Sequence, residues 1–288
     1  MKIAQWLTLS FLFTVLPAYA VIIRHDVDDA RYRVSPQALP ALADLPMEGH
    51  GTLITPRWVV TAAHAVVMMQ EMPEHRFVTI NGKRRDVVKI VVYPDYPSAR
   101  EQWTKMVAEQ KTGDIESWMR RYQAAMAAMH DIALLELAQP VTDVVPLPIY
   151  RGHDEAGLIG DIYGAGATGT DSTGAPDNEP HRTALRRAEN RISDSSSPWL
   201  RYDFDCGPTA LPLEGVTAGG DSGGPLVIKV NGHAYVAGIA HGLDPGIADI
   251  AHMRAGNFQF GACGQRFAAA RVAYFARWID EVIGDARH

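Results

Sequence analysis

Short apolar runs separated by Gly, Pro and Asp breaks dominate the chain beyond its first twenty residues. They fall at 51–54, 58–61, 77–81, 87–93, 132–137, 157–163, 226–230 and 234–240, each rich in Val, Ile, Leu or aromatic side chains. Many short strands at such spacing predict an all-β sandwich or barrel. Asn81-Gly82 and Asn231-Gly232 each sit between two runs, and because both residue types tolerate positive φ, each pair predicts a hairpin turn. No strand–helix–strand alternation is visible, which argues against a doubly wound α/β sheet.

Two stretches follow a helical period instead. Between 103 and 129 there is no proline and a single glycine, Gly113, while Trp118, Met119, Tyr122, Met126 and Met129 recur near helical spacing. This predicts a helical insertion at about 100–129, read as a lid or partner surface, or as an insertion that simply packs its Trp and Met stripe on the body. Between 267 and 283, Val272, Phe275, Ala276 and Ile279 fall on one face and charges on the other, which predicts a closing amphipathic helix. The Ser/Thr/Gly/Pro-rich stretches 168–180 and 193–198 read as surface loops.

The amino terminus has the form of an export signal. Lys2 supplies a positive charge, residues 3–16 are mostly apolar, and Ala18-Tyr19-Ala20 has the small-x-small pattern of a cleavage site. The apolar run is shorter than the roughly 20 residues a membrane-spanning helix needs, and Pro17 ends it. Residues 1–20 are therefore expected to be removed, leaving a mature chain that begins at Val21, is secreted or periplasmic, and has no membrane attachment. Export also bears on the two cysteines. Cys206 and Cys263 could pair across a 57-residue separation in an oxidising compartment, or remain as two buried thiols.

Composition narrows the partners. In 288 residues the hydrophobic share is 47%, the charged share 21% and the net charge -6, with basic residues scattered apart from Lys83-Arg84-Arg85. Phosphate binding is driven by clustered Lys and Arg, so no nucleic-acid partner is expected. No His/Asp/Glu cluster has convincing metal spacing, and neither a metal nor a cofactor is expected.

Three islands carry chemistry. Thr61-Ala62-Ala63-His64 follows a strand-like run, His130-Asp131-Ile132-Ala133-Leu134-Leu135 places an acid at the head of a buried strand, and Gly220-Asp221-Ser222-Gly223-Gly224-Pro225 is a glycine-dense turn around a serine. A serine hydroxyl alone is a weak nucleophile and needs a base within hydrogen-bond reach, itself oriented by a third group. Glycines allow a tight turn whose backbone N–H groups converge where an oxyanion would form.

Taken in order, these islands resemble the signature blocks of the chymotrypsin/trypsin-like serine protease family, in a bacterial-type secreted form. Tyr163-Gly164-Ala165-Gly166 and the closing segment with Val272, Trp278 and Ile279 extend the likeness over nearly the whole mature chain. The resemblance implies two antiparallel six-stranded β-barrels with the active site between them, a C-terminal α-helix, and the helical insertion just before the catalytic aspartate. The first barrel, 21–150, would carry His64 and Asp131, and the second, 151–288, would carry Ser222. It further implies His64 as general base and acid, Asp131 as its orienting group, Ser222 as nucleophile, and an oxyanion hole from the N–H groups of Gly220 and Ser222. The amine of Val21 would pair with Asp221, although Ile23-Arg24 stands where the family usually has two glycines. The implied activity is a serine endopeptidase acting on polypeptides as a monomer.

Other positions depart from the family. Ala65 and Ala218 stand where it often has cysteines, and Ala240-His241-Gly242 replaces its usual Ser-Trp-Gly. The pocket-base position falls on Val216, which supplies no acid for a buried cation, so Arg and Lys are disfavoured and a small or medium apolar side chain is expected in the substrate. Thr217, His241 and Gly242 complete the expected specificity pocket, with Thr217 and His241 leaving an acidic preference open and Glu214, Asp244 and Asp249 as acids close enough to reach it. Two other readings compete: a non-catalytic binding protein on the same scaffold, and an α/β-hydrolase esterase, since Gly220 to Gly224 also satisfies G-x-S-x-G.

Overall fold

The computed structural model of the chain describes residues 21–108, 114–175, 183–196 and 198–285. After β1 (Val21–Ile23), six strands close a first barrel: β2 (Leu42–Asp44), β3 (His50–Thr55), β4 (Trp58–Thr61), β5 (Phe77–Ile80), β6 (Lys83–Val92) and β7 (Ala133–Leu137). Its strand order is β2-β3-β4-β7-β6-β5, antiparallel throughout. The apolar runs read from sequence form its walls, and Val59, Val60, Leu134 and Leu135 are fully buried. Asn81-Gly82 joins β5 to β6 with φ of 50° and 70°, as the hairpin reading requires.

A second barrel closes in the order β10-β11-β15-β14-β13-β8. Its strands are β8 (Ile159–Gly164), β10 (Arg186–Asp194), β11 (Trp199–Asp203), β13 (Pro225–Val230), β14 (His233–Leu243) and β15 (Arg266–Arg271). A short sheet lies beside it, with β1 antiparallel to β12 (Gly215–Val216) and parallel to β9 (Thr168–Thr170). The G-x-S-x-G turn thus lies between β12 and β13, not between a strand and a helix, and the esterase reading falls with it.

Three expectations are corrected. The helix expected from 267 begins only at Val272, as α5 (Val272–Asp285). Phe267 to Ala270 instead run as a strand, fully buried between β11 and β14, where two ladders of hydrogen bonds outweigh the helix propensity of alanine. The stretches read as loops contribute β9, which pairs with distant β1 and so leaves no local trace, and the end of β10, which pairs with its neighbour β11 across the 193–198 stretch. Residues 1–20 and 176–182 lie outside the described residues.

The insertion is a pair of helices, α2 (Tyr96–Ala108) and α3 (Ile115–Ala128), where α1 is the short helix Val67–Glu71. Asp114 caps α3 by accepting the N–H groups of Glu116 and Ser117. The stripe of Trp118, Met119, Tyr122 and Met126 is buried in the larger hydrophobic core, which spans both barrels. A further helix, α4 (Ile247–Ala255), packs beside α3. Helix α5 leaves the second barrel and lies against the first, where Tyr93 meets the rings of Phe275 and Trp278, each at 5.2 Å. Cys206 and Cys263 are disulfide-bonded, their Cα atoms 6.0 Å apart. No helix among the described residues is long and apolar enough to cross a membrane.

Candidate active site

His64 leaves the end of β4 and Asp131 stands two residues before β7. These strands are neighbours, with Thr61 opposite Ala133, so the register carries both residues to one end of the first barrel. The His64 Nδ1–H donates to Asp131 Oδ2 at 2.6 Å, and the His64 backbone N–H donates to Oδ1 at 2.9 Å. Burial alone would push the Asp131 carboxyl up. The His64 charge and the bonds from His241 and His64 outweigh it and hold this carboxyl well below the usual carboxylate range. Burial likewise works against a charged His64, but the Asp131 carboxylate prevails and the imidazole pKa is raised. With Nδ1 committed to Asp131, Nε2 is the one basic nitrogen left on the ring.

A second imidazole completes this group. His241 Nδ1–H also donates to Asp131 Oδ2, at 2.5 Å, and the two rings stand nearly perpendicular with centroids 5.6 Å apart. Two histidines and an aspartate within 4.8 Å have the composition of a metal site. Tetrahedral zinc, however, would hold a ring nitrogen and a carboxylate oxygen roughly 3.4 Å apart. The observed separations are those of hydrogen bonds, so protons fit the space better than an ion.

The serine turn comes from the second barrel. Gly220 and Gly223 adopt φ of 86° and 76°. A Cβ on Gly223 would stand 2.2 Å from Thr61 Oγ1 and 2.4 Å from the His50 carbonyl, so only glycine lets the turn approach the first barrel this closely. The His50 N–H donates to the Ser222 carbonyl at 2.8 Å and fastens the turn there. Among the described residues, the N–H groups of Gly220 and Ser222 donate to no internal acceptor. Ser222 and His64 line one cavity of about 450 Å³, together with Tyr96, Arg100, Tyr122 and Met129 of the insertion segment. Among the described residues the Ser222 hydroxyl makes no direct hydrogen bond to His64, a looseness common in sites without substrate.

Known proteins resemble this chain over much of its length. The Trypsin family model covers residues 30–253. The chain belongs to the trypsin family of serine proteases. Chymotrypsin-like elastase family member 1 of Homo sapiens is 30% identical over 203 residues, 66% of this chain and 67% of that protein. The Macaca fascicularis protein of the same name is 31% identical over 204 residues, 66% of this chain and 65% of the relative. A venom plasminogen activator of Agkistrodon piscivorus leucostoma is 25% identical over 205 residues, 68% of this chain and 70% of that protein. The chain thus spans about two thirds of the length of these curated relatives.

In this trypsin-family chain Asp221 is fully buried behind the serine turn. It accepts the N–H groups of Gly166 and Ala218, both at 2.8 Å, and the backbone N–H of Val21 also bonds it. Burial raises its pKa, against the opposing pull of His50 and those backbone bonds. His50 stands 3.9 Å from Asp221 through Nε2, which accepts the Ala165 N–H at 3.1 Å, leaving the ring proton on Nδ1 toward Asp44 at 3.0 Å. His50 was missed in the sequence, although a histidine heading an apolar strand is a usable signal.

The expected specificity residues divide. His241 and Gly242 line the cavity shared by His64 and Ser222, with Ala218, Gly219, Leu243 and Phe260, whereas Val216 and Thr217 are buried and do not line it. Val216 instead faces Ile22 across the β12–β1 ladder. None of the acids considered from sequence lines the cavity. Glu214 is buried, with its carboxyl pushed up to about 7 by that burial, and accepts the Leu211 N–H at 2.9 Å. Asp244 is held by Arg201 at 2.7 Å, and Asp249 caps α4.

Proposed function

We propose that this protein is a secreted serine endopeptidase that cleaves polypeptides through an acyl-enzyme on Ser222. The observation that carries the reading is the His64 ring, fixed through Nδ1 to a buried carboxylate at a cavity it shares with Ser222. His64 Nε2 accepts the Ser222 proton as Oγ attacks the substrate carbonyl, then returns it to the leaving amine. Asp131 keeps the ring in the tautomer this requires and stabilises the imidazolium that forms. The uncommitted N–H groups of Gly220 and Ser222 receive the oxyanion. A water activated by His64 then releases the acid and regenerates Ser222.

Removal of residues 1–20 is part of this reading, and it turns the Val21 N–H into an ammonium beside Asp221. Two observations support it. Asp221 is a buried carboxylate whose nearest ring nitrogen, on His50, is spent as an acceptor. Val21, a fully buried β-branched residue, has φ of 65°. Such a conformation costs about 1–3 kcal/mol in a continuous chain, and the torsion ceases to exist once the preceding peptide bond is cut.

The cavity walls of Ala218, Gly219, Gly242, Leu243 and Phe260 favour a small or medium apolar side chain, and an Arg or Lys would meet no acid there. The disulfide fits an exported protein, and a monomer is the simplest catalytic unit. The decisive experiment is fluorophosphonate labelling of protein that begins at Val21, followed by peptide-library profiling. A stoichiometric adduct on Ser222 that His64→Ala abolishes is expected. No adduct would leave a non-catalytic binding protein on this scaffold.

A further inference from the structure

His241 stands where strand β14 breaks register. Pairing between β14 and β15 shifts between Ala240 and Gly242, so His241 is the extra residue of a β-bulge, a device that re-aims a side chain. Gly242 follows with φ of 133°, a backbone conformation that L side chains rarely adopt. The bulged ring lies edge-on against Trp199, with centroids 4.9 Å apart, and delivers Nδ1–H to the oxygen of Asp131 that His64 also uses. An ionised carboxylate only accepts, so both imidazoles carry a proton on Nδ1. Glu48 and Arg100 also act on His64, and the Tyr96 hydroxyl of the insertion senses Asp131.

We propose that His241 is a positioning residue of the catalytic apparatus: its Nδ1–H fixes the Asp131 carboxylate so that the shared oxygen stays aligned with His64. This rests on the reading of His64, Asp131 and Ser222 as the reacting group. Two effects follow from the shared oxygen. His64 already donates to both oxygens of this carboxylate, and His241 adds a hold on Oδ2 from the second barrel, so the carboxylate resists turning and the His64 ring keeps the orientation from which Nε2 serves the serine. The second N–H also draws charge from Asp131, so His64 is less basic than it would be beside a carboxylate serving one imidazole.

The test compares His241→Phe, which keeps ring volume against Trp199 but removes the donor, with His241→Asn, whose amide nitrogen takes the place of Nδ1. In His241→Phe, kcat falls about 10- to 100-fold with KM unchanged. The midpoint of the acid limb of kcat/KM moves to higher pH, because Asp131 is then the stronger partner of His64. His241→Asn restores the midpoint and most of kcat. Independently of turnover, the protein beginning at Val21 and carrying 15N-histidine shows low-field imidazole Nδ1–H resonances from His64 and His241 beside that of His50, whose Nδ1–H faces Asp44; in His241→Phe one is lost, that of His64 is displaced and that of His50 stays. No low-field resonance lost in His241→Phe, or an acid limb unmoved in it, overturns the proposal. Ser222 that resists fluorophosphonate removes the catalytic reading, while the resonances still decide whether the bond exists.

Discussion

The Trp199 indole donates its Nε1–H to the Met126 carbonyl at 2.7 Å, tying β11 of the second barrel to the end of α3. The insertion is therefore fastened across both barrels, beside the cavity that Tyr122 and Met129 help to line. Trp199→Phe removes one of two donors to that carbonyl, which keeps the Met129 N–H at 3.0 Å, a loss of about 0.5–1.5 kcal/mol. Denaturant unfolding should show this loss, with KM rising as the cavity wall loosens and kcat falling because the His241 ring loses part of its brace. Unchanged stability and KM would mean that the insertion is held by its apolar stripe alone.

Activity and stability should respond to pH in opposite senses around His64. In the proposed mechanism the neutral ring is the base, and its pKa is raised, so kcat/KM should climb with pH through a midpoint above the ordinary histidine value of 6.5. The same shift makes the His64 contribution to stability complete below about 6.5 and lost as pH rises through the folded-state value. Asp131, shifted downward, contributes stability above about 3.9 that is lost as pH falls through its folded-state value. The Tm difference between the native protein and His64→Ala should be largest near pH 5 and shrink above pH 7. A constant difference over this range would show that the pair does not titrate as described.

Much of this site is legible in the sequence because its elements are local. Glycines crowd around Ser222, an apolar run precedes His64, and another follows Asp131, so the order of the blocks alone points to a family. What was not legible depends on pairing between distant segments. Phe267 to Ala270 read as helix because alanine favours it, and only the flanking β11 and β14 make them a strand. Val216 was expected at the pocket but is drawn into a ladder with Ile22, a partner nearly two hundred positions away. The direction of His241 follows from a bulge, which no periodicity announces.

Processing before Val21 should change stability in a pH-dependent way. In the unprocessed chain the raised pKa of Asp221 means stability is full below about 3.9 and falls as pH rises through the folded-state value, since a buried carboxylate must ionise beside a neutral amide. An ammonium at Val21 paired with Asp221 removes that penalty until it loses its own proton, at a pH above the free α-amino value of about 8. The Tm gained on processing is therefore small at pH 4, largest near pH 7 and smaller again above pH 9, and activity appears with it. A chain extended by one residue before Val21 should lack both. Full activity in the extended chain would sink the pairing of Val21 with Asp221.

Phe260 offers the most direct control of substrate choice. It lines the cavity of His64 and Ser222 with Leu243 and Gly242, and its ring is braced edge-on against Phe267 with centroids 5.6 Å apart. Phe260 is partly buried against the second core and also lines the cavity, so truncation to alanine enlarges the cavity at a packing cost below the roughly 3–5 kcal/mol of a fully buried phenylalanine. Phe260→Leu is the gentler variant. Both should shift cleavage in a peptide library toward larger apolar side chains, by about 10-fold for each extra methylene accommodated, with Arg and Lys remaining poor. A native preference for Arg or Lys would mean that an acid reaches this cavity from outside the walls described, and that Phe260 does not bound the pocket.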